Sequence, residues 1–422
     1  MSLMLSRARR LAAATFAALL VLPSAAAVAQ TNPPLKIGFG MALSGGLAGL
    51  GKSALQSMQI WAADVNAKGG ILGREVKLVY YDDQSMPSTV PGIYSKLMDV
   101  DKVDLVVSGY ASSQIAAAMP MIVQRKRLFL SLFGLATNDQ FNYDRYFQMQ
   151  PNGPDARLEF SKGFLEVAMH MNPKPQTIAI LGADAEFGHL CLDGARENAK
   201  KLGLKIVYDR MYPPNTVEFG SMIRAVKATN PDLVYVASYP PDSAGLIRAV
   251  NDVGLNVKMF GGGMIGLGSA AVKTTLGPLL NGVVSYDLYV PEPTMKFQGI
   301  DALLTRYRQD AQKNGVDPLG LYIAPFAYAE MQILEQAIKA VGSLDEAKLA
   351  QHIHASTFQT VAGEIKFQKR GEWAEPRILY VQYQGIVGND VEQFKQAGKQ
   401  VIVYPPKFKS GEVKYPFSAV PK

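Results

Sequence analysis

The fold is decided by a stretch that begins Lys36-Ile37-Gly38-Phe39-Gly40-Met41-Ala42-Leu43, passes through a glycine-rich loop and a helix to Asn66-Ala67-Lys68-Gly69-Gly70-Ile71-Leu72-Gly73, and ends in Val76–Asp83. The first apolar run predicts a buried strand that enters a tight loop. Apolar residues then recur every three to four positions, which predicts a helix with one buried face. Together with the second strand this is a β-α-β unit, and ligands of parallel sheets bind at the loop after such a strand.

The loop of this unit also matches a nucleotide-binding motif. Gly46-Leu47-Ala48-Gly49-Leu50-Gly51-Lys52-Ser53 fits the phosphate-loop pattern G-x-x-x-x-G-K-[ST]. The alternative is a glycine-rich loop in a binding cleft. We favour the alternative, because the start of the chain indicates export to a compartment where nucleoside triphosphates are scarce. No cofactor is therefore expected.

The first 29 residues have the features of an export signal. Arg7, Arg9 and Arg10 precede an apolar segment, Leu11–Leu22, that is too short to span a bilayer. Ala27-Val28-Ala29 has the pattern of a cleavage site, so we expect cleavage after Ala29 and a periplasmic protein. No cysteine stands at the cut and no later stretch is long and apolar enough to span a membrane, so no anchor is expected.

Composition limits the classes of partner. The chain has 422 residues and a formal charge of +7, and removal of the leader with its three arginines lowers the charge to +4. No run of lysine and arginine suggests nucleic acid. The length suits two domains. Cys191 is the only cysteine, which excludes an intramolecular disulfide, and we expect a buried, inert thiol.

Strands and helices alternate in two successive halves, and the second half restarts at Thr177. This order predicts an α/β fold with parallel sheets and helices on both faces. Polar loops follow several of the predicted strands, so hydroxyls and amides gather at one rim of each sheet. Three further helices are predicted over 297–314, 322–341 and 344–354, then short strands over 364–367 and 378–383. The tail rich in lysine, proline and tyrosine has no predicted place.

Several of these passages resemble periplasmic solute-binding proteins of the leucine/isoleucine/valine-binding type. They are Ile37–Gly45, the N-A-K-G-G-I-L-G segment from Asn66, the strand end Tyr81-Asp82-Asp83 and the loop Gly109–Ser113. The resemblance covers nearly the whole chain after the leader. It implies the type I periplasmic binding fold, in which two Rossmann-like lobes are joined by three crossovers and close on a ligand.

The resemblance also implies the domain boundaries. The N-terminal lobe would comprise residues 30–152 and 289–362, and the C-terminal lobe residues 153–288 and 363–422. The crossovers would lie near 150–154, 287–290 and 361–363. In this family the glycine-rich loop lines the cleft and binds no nucleotide.

The binding site is carried over from the family by position. The expected ligand-binding residues are Ser112, Ser113, Ala136, Thr137, Phe187, Tyr239, Gly263, Met264, Tyr322 and Leu50. Ser112 and Thr137 would hold a ligand carboxylate, because neutral donors make strong hydrogen bonds to a charged acceptor. The alternative is that these hydroxyls only cap helices.

One position departs from the family pattern. Amino-acid binders of this type carry a glutamate for the ligand ammonium where this chain has Gly263. A buried ammonium without a carboxylate partner is costly. We therefore expect a small carboxylate without an α-amino group, such as an aromatic acid of the benzoate or cinnamate kind. Asp184, Glu186 or Asp287 could still replace the missing acid.

The expected function is that of a monomeric substrate-binding component, which delivers its ligand transiently to an inner-membrane ABC permease. A branched-chain amino-acid-binding protein and a ligand sensor of the same fold are the alternatives. An exported enzyme is disfavoured. The histidines show no H-E-x-x-H spacing, and the sequence has no G-x-S-x-G motif.

Overall fold

The structure is a computed structural model that describes residues 32–214 and 216–422. The predicted signal peptide and its cleavage site after Ala29 lie outside these residues. Within the described residues, no helix has both the length and the apolar character needed to cross a membrane.

The first lobe alternates strands and helices as predicted. Its elements are β1 (Leu35–Met41), α1 (Ala48–Asn66), β2 (Val76–Asp82), α2 (Val90–Asp99), β3 (Leu105–Val106), α3 (Ser112–Gln124), β4 (Phe129–Ser131) and β5 (Tyr146–Gln148). Strands β2, β1 and β3 pair in that order, β4 pairs with β5, and all these pairings are parallel. The Ser108 amide donates to the Leu130 carbonyl at 2.9 Å, which brings the end of β3 beside β4.

The second lobe is built on a larger sheet. Its elements are α4 (Ala156–Met169), β6 (Thr177–Ala183), α5 (Glu186–Lys201), β7 (Lys205–Tyr212), α6 (Gly220–Ala228), β8 (Leu233–Ser238), α7 (Pro240–Val253), β9 (Met259–Met264), α8 (Ala270–Leu276) and β10 (Val284–Asp287). The chain then continues, partly on the first lobe and partly on the second, with α9 (Ile300–Ala311), α10 (Ala324–Val341), α11 (Glu346–Ala355), β11 (Thr357–Thr360), β12 (Gly363–Lys366), β13 (Leu379–Tyr383) and β14 (Gln400–Tyr404). Seven strands pair in the order β14-β13-β10-β9-β8-β6-β7, and β13 is antiparallel to both of its neighbours.

The tail without a predicted place belongs to the second lobe. It supplies β14 at the edge of the seven-stranded sheet. Further along the tail, the Phe417 amide donates to the Val257 carbonyl at 3.0 Å. The ring centroids of Phe417 and Phe260 lie 5.3 Å apart. Helix α4 was also not predicted, although its buried residues Phe160, Phe164 and Ala168 have helical spacing. Cys191 is free and fully buried, and burial raises the pKa of its thiol.

The helices after β10 pack on the first lobe. The indole nitrogen of Trp61 in α1 donates to Glu335 of α10 at 3.0 Å, and the Tyr328 hydroxyl of α10 donates to Asp64 of α1 at 2.8 Å. These bonds hold the start of α10, where Tyr322 precedes the helix, beside the loops that follow β3 and β4.

One predicted boundary needs correction. We placed the third crossover near 361–363 and assigned the following strand to the C-terminal lobe. Instead β12 forms an antiparallel hairpin with β11, and the Ala374 amide still bonds to Lys366 at 2.7 Å. The Gln148 amide of the first lobe donates to Gly371 at 2.7 Å. The chain therefore passes to the seven-stranded sheet only between Ala374 and Leu379, because the residues at 361–363 form a hairpin turn.

Glycines in the first turns of α1 and α5 let these helices lie directly on the preceding strands. A Cβ atom on Gly51 would lie 2.0 Å from the Ala42 carbonyl oxygen, and one on Gly188 would lie 1.9 Å from that of Ala183. Backbone at that distance cannot accommodate a side chain. Close helix–strand packing therefore accounts for the glycine that completes the phosphate-loop pattern.

Amides of this loop are already hydrogen-bonded: that of Leu47 donates to the Ser85 hydroxyl at 3.1 Å, and that of Gly51 donates to the Leu47 carbonyl at 3.0 Å. Just before the loop, the amides of Leu43 and Ser44 donate to one carboxylate oxygen of Asp82, at 2.9 and 3.1 Å. Burial acts to raise the pKa of Asp82, but hydrogen bonds from Ser44, Gln84 and Leu43 outweigh it and leave the pKa below its usual value. The Ser53 hydroxyl donates to the Gly49 carbonyl at 2.9 Å, and Lys52 is exposed. This arrangement differs from a cradle of free amides around a phosphate.

We predict that the protein binds no ATP and that Lys52→Ala leaves ligand affinity within a few-fold of wild type, because the loop amides are occupied. Calorimetric titration with ATP and magnesium measures the first part. Micromolar ATP binding that disappears in Lys52→Ala would contradict the packing interpretation of this loop.

A buried acid–phenol pair joins β7 to α7. The Tyr212 hydroxyl donates to Asp242, and burial raises the pKa of Asp242 to about 6 despite this bond. Because the folded-state pKa lies above the unfolded value, the folded protein binds the proton more tightly. The contribution of Asp242 to the free energy of unfolding must therefore decrease as the pH rises from about 4 to 6.

We predict that Asp242→Asn removes this pH dependence while it keeps an acceptor for Tyr212. Relative to wild type, the variant should gain stability between pH 4 and pH 7, by at most about 3 kcal/mol, since one pKa unit corresponds to about 1.4 kcal/mol. Urea unfolding at several pH values measures the difference. Parallel pH profiles of the two proteins would show that Asp242 titrates normally.

Candidate functional site

A narrow cavity lies between the carboxyl ends of the strands of the two lobes. The centre of a water molecule can reach only about 10 Å³ of it. It is lined by Tyr110, Ala111, Ser112, Phe133, Gln150, Phe187, Tyr239, Ile265, Tyr286 and Tyr322. None of these residues is charged, and six carry aromatic rings. The lobes are therefore closed on a thin, largely aromatic slot.

Four of the predicted site residues line this cavity: Ser112, Phe187, Tyr239 and Tyr322. Ser112 begins α3 after Ala111, whose φ of 90° turns the chain at the cleft. The Ser112 hydroxyl oxygen accepts the Leu135 amide at 3.1 Å. Its own hydrogen can still be donated to a ligand. Phe187 and Tyr239 follow β6 and β8, and their ring centroids lie 5.8 Å apart.

The other six predicted residues do not line it. Leu50, Ala136, Thr137, Gly263 and Met264 are buried, and the Ser113 hydroxyl donates to Gln114 at 3.0 Å. After β4 the chain presents Phe133 to the cavity in place of the Ala136-Thr137 pair. Phe133 and Ala136 have φ values of 68° and 51°. Positive φ values at residues other than glycine redirect this loop, and no feature of the sequence indicates them.

Gly263 lies behind the ring of Phe187. A Cβ atom there would be 2.9 Å from the Phe160 ring and 3.5 Å from that of Phe187. A larger side chain at this position would displace aromatic rings before it reached the cavity.

None of the acids considered as replacements lines the cavity either. Asp184 is exposed and lies 2.7 Å from the His189 ring nitrogen. Glu186 is half-buried in the first turn of α5. Asp287 is buried, which raises its pKa against the opposing effect of Lys273, and it accepts from the Leu288 amide at 2.8 Å.

Five lining residues were not predicted: Tyr110, Phe133, Gln150, Ile265 and Tyr286. Tyr286 matters most for the geometry. Its hydroxyl is hydrogen-bonded to the Tyr322 hydroxyl of the other lobe, and the two rings meet edge-to-face with centroids 6.0 Å apart. Burial raises the pKa of both phenols, so both stay neutral at physiological pH and keep a proton to donate. Tyr110 lies in the loop Gly109–Ser113 that carries the family resemblance, and this was the available signal for it.

A glycine of the second lobe rests on the same tyrosine. A Cβ atom on Gly268 would lie 2.6 Å from Cγ of Tyr322. The Tyr322 ring also packs against Phe133 at a centroid distance of 5.6 Å. Tyr322 is thus held between the two lobes.

Residues 34–384 match the sequence profile of the periplasmic binding protein family. The chain belongs to this family. The Leu/Ile/Val-binding protein of Escherichia coli K12 is 23% identical over 342 residues, which cover 80% of this chain and 88% of that protein. An amino acid binding protein of Pseudomonas aeruginosa is 25% identical over 340 residues, which cover 78% and 86% of the two chains.

Solved structures show the same type I periplasmic binding fold. The chain superposes on a leucine binding protein from Thermotoga maritima with a TM-score of 0.70 at 18% identity, over 84% of this chain and 96% of that one. A solute binding protein of an ABC transporter from R. palustris, in complex with benzoate, gives a TM-score of 0.71 at 18% identity, over 88% and 95%. These similarities confirm the predicted fold and family.

We predict that Gly268→Ala disfavours closure, because the added methyl group would enter the Tyr322 ring. Overpacking of this kind costs about 1–3 kcal/mol. Small-angle scattering should give a larger radius of gyration than wild type. The matched control is Gly92→Ala, since a Cβ atom on Gly92 meets no atom within 4 Å. An unchanged radius in Gly268→Ala would mean that the lobes do not depend on this contact.

Proposed function

We propose that this chain is the substrate-binding component of an ABC importer and captures a small carboxylate without an α-amino group, most simply an aromatic acid. The observation that carries the proposal is the lining of the cleft between the lobes. Rings form its walls, and its polar groups are neutral hydroxyls and one amide, at Gln150.

The walls suit a flat ring. Aromatic side chains favour edge-to-face and offset contacts with another ring. Phe187 and Tyr239 of one lobe and Tyr322 of the other can make such contacts on opposite sides of a ligand. Because the closed slot is narrow, entry requires the lobes to separate by a hinge motion.

The polar groups suit a carboxylate. Ser112 has a hydroxyl hydrogen to donate, and the neutral tyrosine hydroxyls at 286 and 322 can rearrange from each other to a ligand. Hydrogen bonds to a charged acceptor are stronger than those between neutral groups. An ammonium would find no carboxylate among the lining residues, and its desolvation would be uncompensated.

The comparisons offer precedents for two classes of ligand. Solute binding proteins of ABC transporters from R. palustris share the fold and are described in complex with benzoate and with 4-hydroxybenzoate. At identities of 17–18%, these similarities support the shared fold and do not extend to the ligand. In contrast, several relatives by sequence are named Leu/Ile/Val-binding proteins. A branched-chain amino acid is therefore the second candidate ligand, and a ligand sensor of the same fold is an alternative role.

We predict that benzoate or cinnamate raises the melting temperature and that leucine and valine do not. A ligand that binds only the native state stabilises it by mass action. A thermal-shift screen of aromatic acids, aliphatic acids and amino acids at equal concentration measures this. Stabilisation by leucine or valine without an effect of the aromatic acids would restore the amino-acid interpretation.

We predict that Ser112→Ala weakens binding of the most stabilising acid about ten- to a hundred-fold, because loss of one charge-assisted hydrogen bond costs roughly 1.5–3 kcal/mol. Isothermal titration calorimetry gives the affinities. Ser113→Ala is the matched control in the same helical turn, since its hydroxyl bonds to Gln114. Equal affinities for Ser112→Ala and wild type would place the carboxylate elsewhere.

A further inference from the structure

A buried arginine near the crossovers carries a charge that no acid balances. Arg377 is 7% exposed, and within residues 32–214 and 216–422 no carboxylate forms an ion pair with it. Its Nη2 donates to the Ala362 carbonyl, and its guanidinium lies 4.8 Å from the ring centroids of both Phe297 and Trp373. Burial lowers its pKa to about 9, so the group is still charged at neutral pH.

Its surroundings contain further polar atoms without partners among the described residues. These are Nε of Arg377 itself, the indole nitrogen of Trp373 and both side-chain amide atoms of Asn152, all in residues at least nine-tenths buried. Asn152 is next to Pro151, whose carbonyl accepts the Arg377 amide at 2.8 Å. Buried polar groups without partners are costly and in native proteins normally have a protein, water or ion partner.

These residues come from three separate passages of chain. Asn152 lies in the first crossover, Phe297 follows the second, Trp373 precedes the third and Arg377 lies within it. The backbone leaves room for the guanidinium, since a Cβ atom on Gly363 would lie 2.8 Å from Nη1 of Arg377. The site is distinct from the ligand cleft, because none of these residues lines that cavity.

The acids of the adjacent surface have other partners. Phe297 and Gly363 also line an open groove that contains Asp64 and Glu364. Asp64 pairs with Arg306 and accepts a hydrogen bond from the Tyr328 hydroxyl. Glu364 accepts one from the side-chain amide of Gln359 at 2.9 Å. Neither neutralises Arg377.

We propose that Arg377, Trp373 and Asn152 bind a compact monovalent anion at the junction of the crossovers. A guanidinium and N–H donors are the groups that recognise chloride or a small carboxylate such as acetate. Enclosed by passages that join the two lobes, the anion compensates the buried charge and stabilises the folded chain. Chloride and acetate share this chemistry, and separate titrations distinguish them.

The test uses the mature protein with Trp61→Phe, which leaves Trp373 as the only tryptophan of the chain. Melting temperature and tryptophan emission are followed while sodium gluconate is replaced by sodium chloride, or by sodium acetate, at constant ionic strength. We expect a saturable rise in melting temperature with a matching change in emission for at least one of the small anions, because a bound ion stabilises the native state.

Arg377→Met should abolish both responses, and Trp373→Phe should weaken the thermal response about tenfold in anion concentration. Arg306→Met is the control, since this arginine lines the adjacent groove but pairs with Asp64. Equal melting temperatures and emission in chloride, acetate and gluconate would overturn the proposal. A response that survives Arg377→Met would also overturn it. If that variant does not fold, the titration of the protein with Trp61→Phe alone decides.

Discussion

The hydrogen bond between Tyr286 and Tyr322 crosses the cleft and defines how the two lobes meet. Tyr286 lies in β10 of the seven-stranded sheet, whereas Tyr322 precedes the helix that packs on α1. Gly268 lies against the face of the Tyr322 ring, and Phe133 packs on it from the first lobe. A ligand that replaced the contact between the two hydroxyls could keep the lobes closed without any charged side chain in the cleft.

In both lobes a helix packs closely on the strand that precedes it. At Gly51 and Gly188 the first turn of a helix lies on the carbonyl of the preceding strand, once in each lobe. In the first lobe this packing accounts for Gly51, a glycine of the loop that resembles a phosphate-binding motif.

Most of the fold and part of the site could be predicted from the sequence. Alternation of strands and helices, with the N-A-K-G-G-I-L-G segment, led to the fold and family that the comparisons confirm. Ser112, Phe187 and Tyr239 follow strands and line the cavity, whereas Tyr322 precedes α10 and was expected only from the family resemblance. Phe133 could not be predicted, because it enters the cleft through a positive φ that its residue type does not favour. The third crossover was misplaced because a hairpin turn and a crossover look alike in a short run of residues.

The proposed ligand is an acid held between aromatic walls, with its carboxylate at the start of α3. A crystal structure of the protein with benzoate tests this most directly. We expect density for the ring between Tyr322 and the Phe187–Tyr239 pair, with a carboxylate oxygen within about 3 Å of the Ser112 hydroxyl. Density for benzoate only outside the cleft, or a cleft occupied by a co-purified amino acid whose ammonium contacts an acidic side chain, would contradict it.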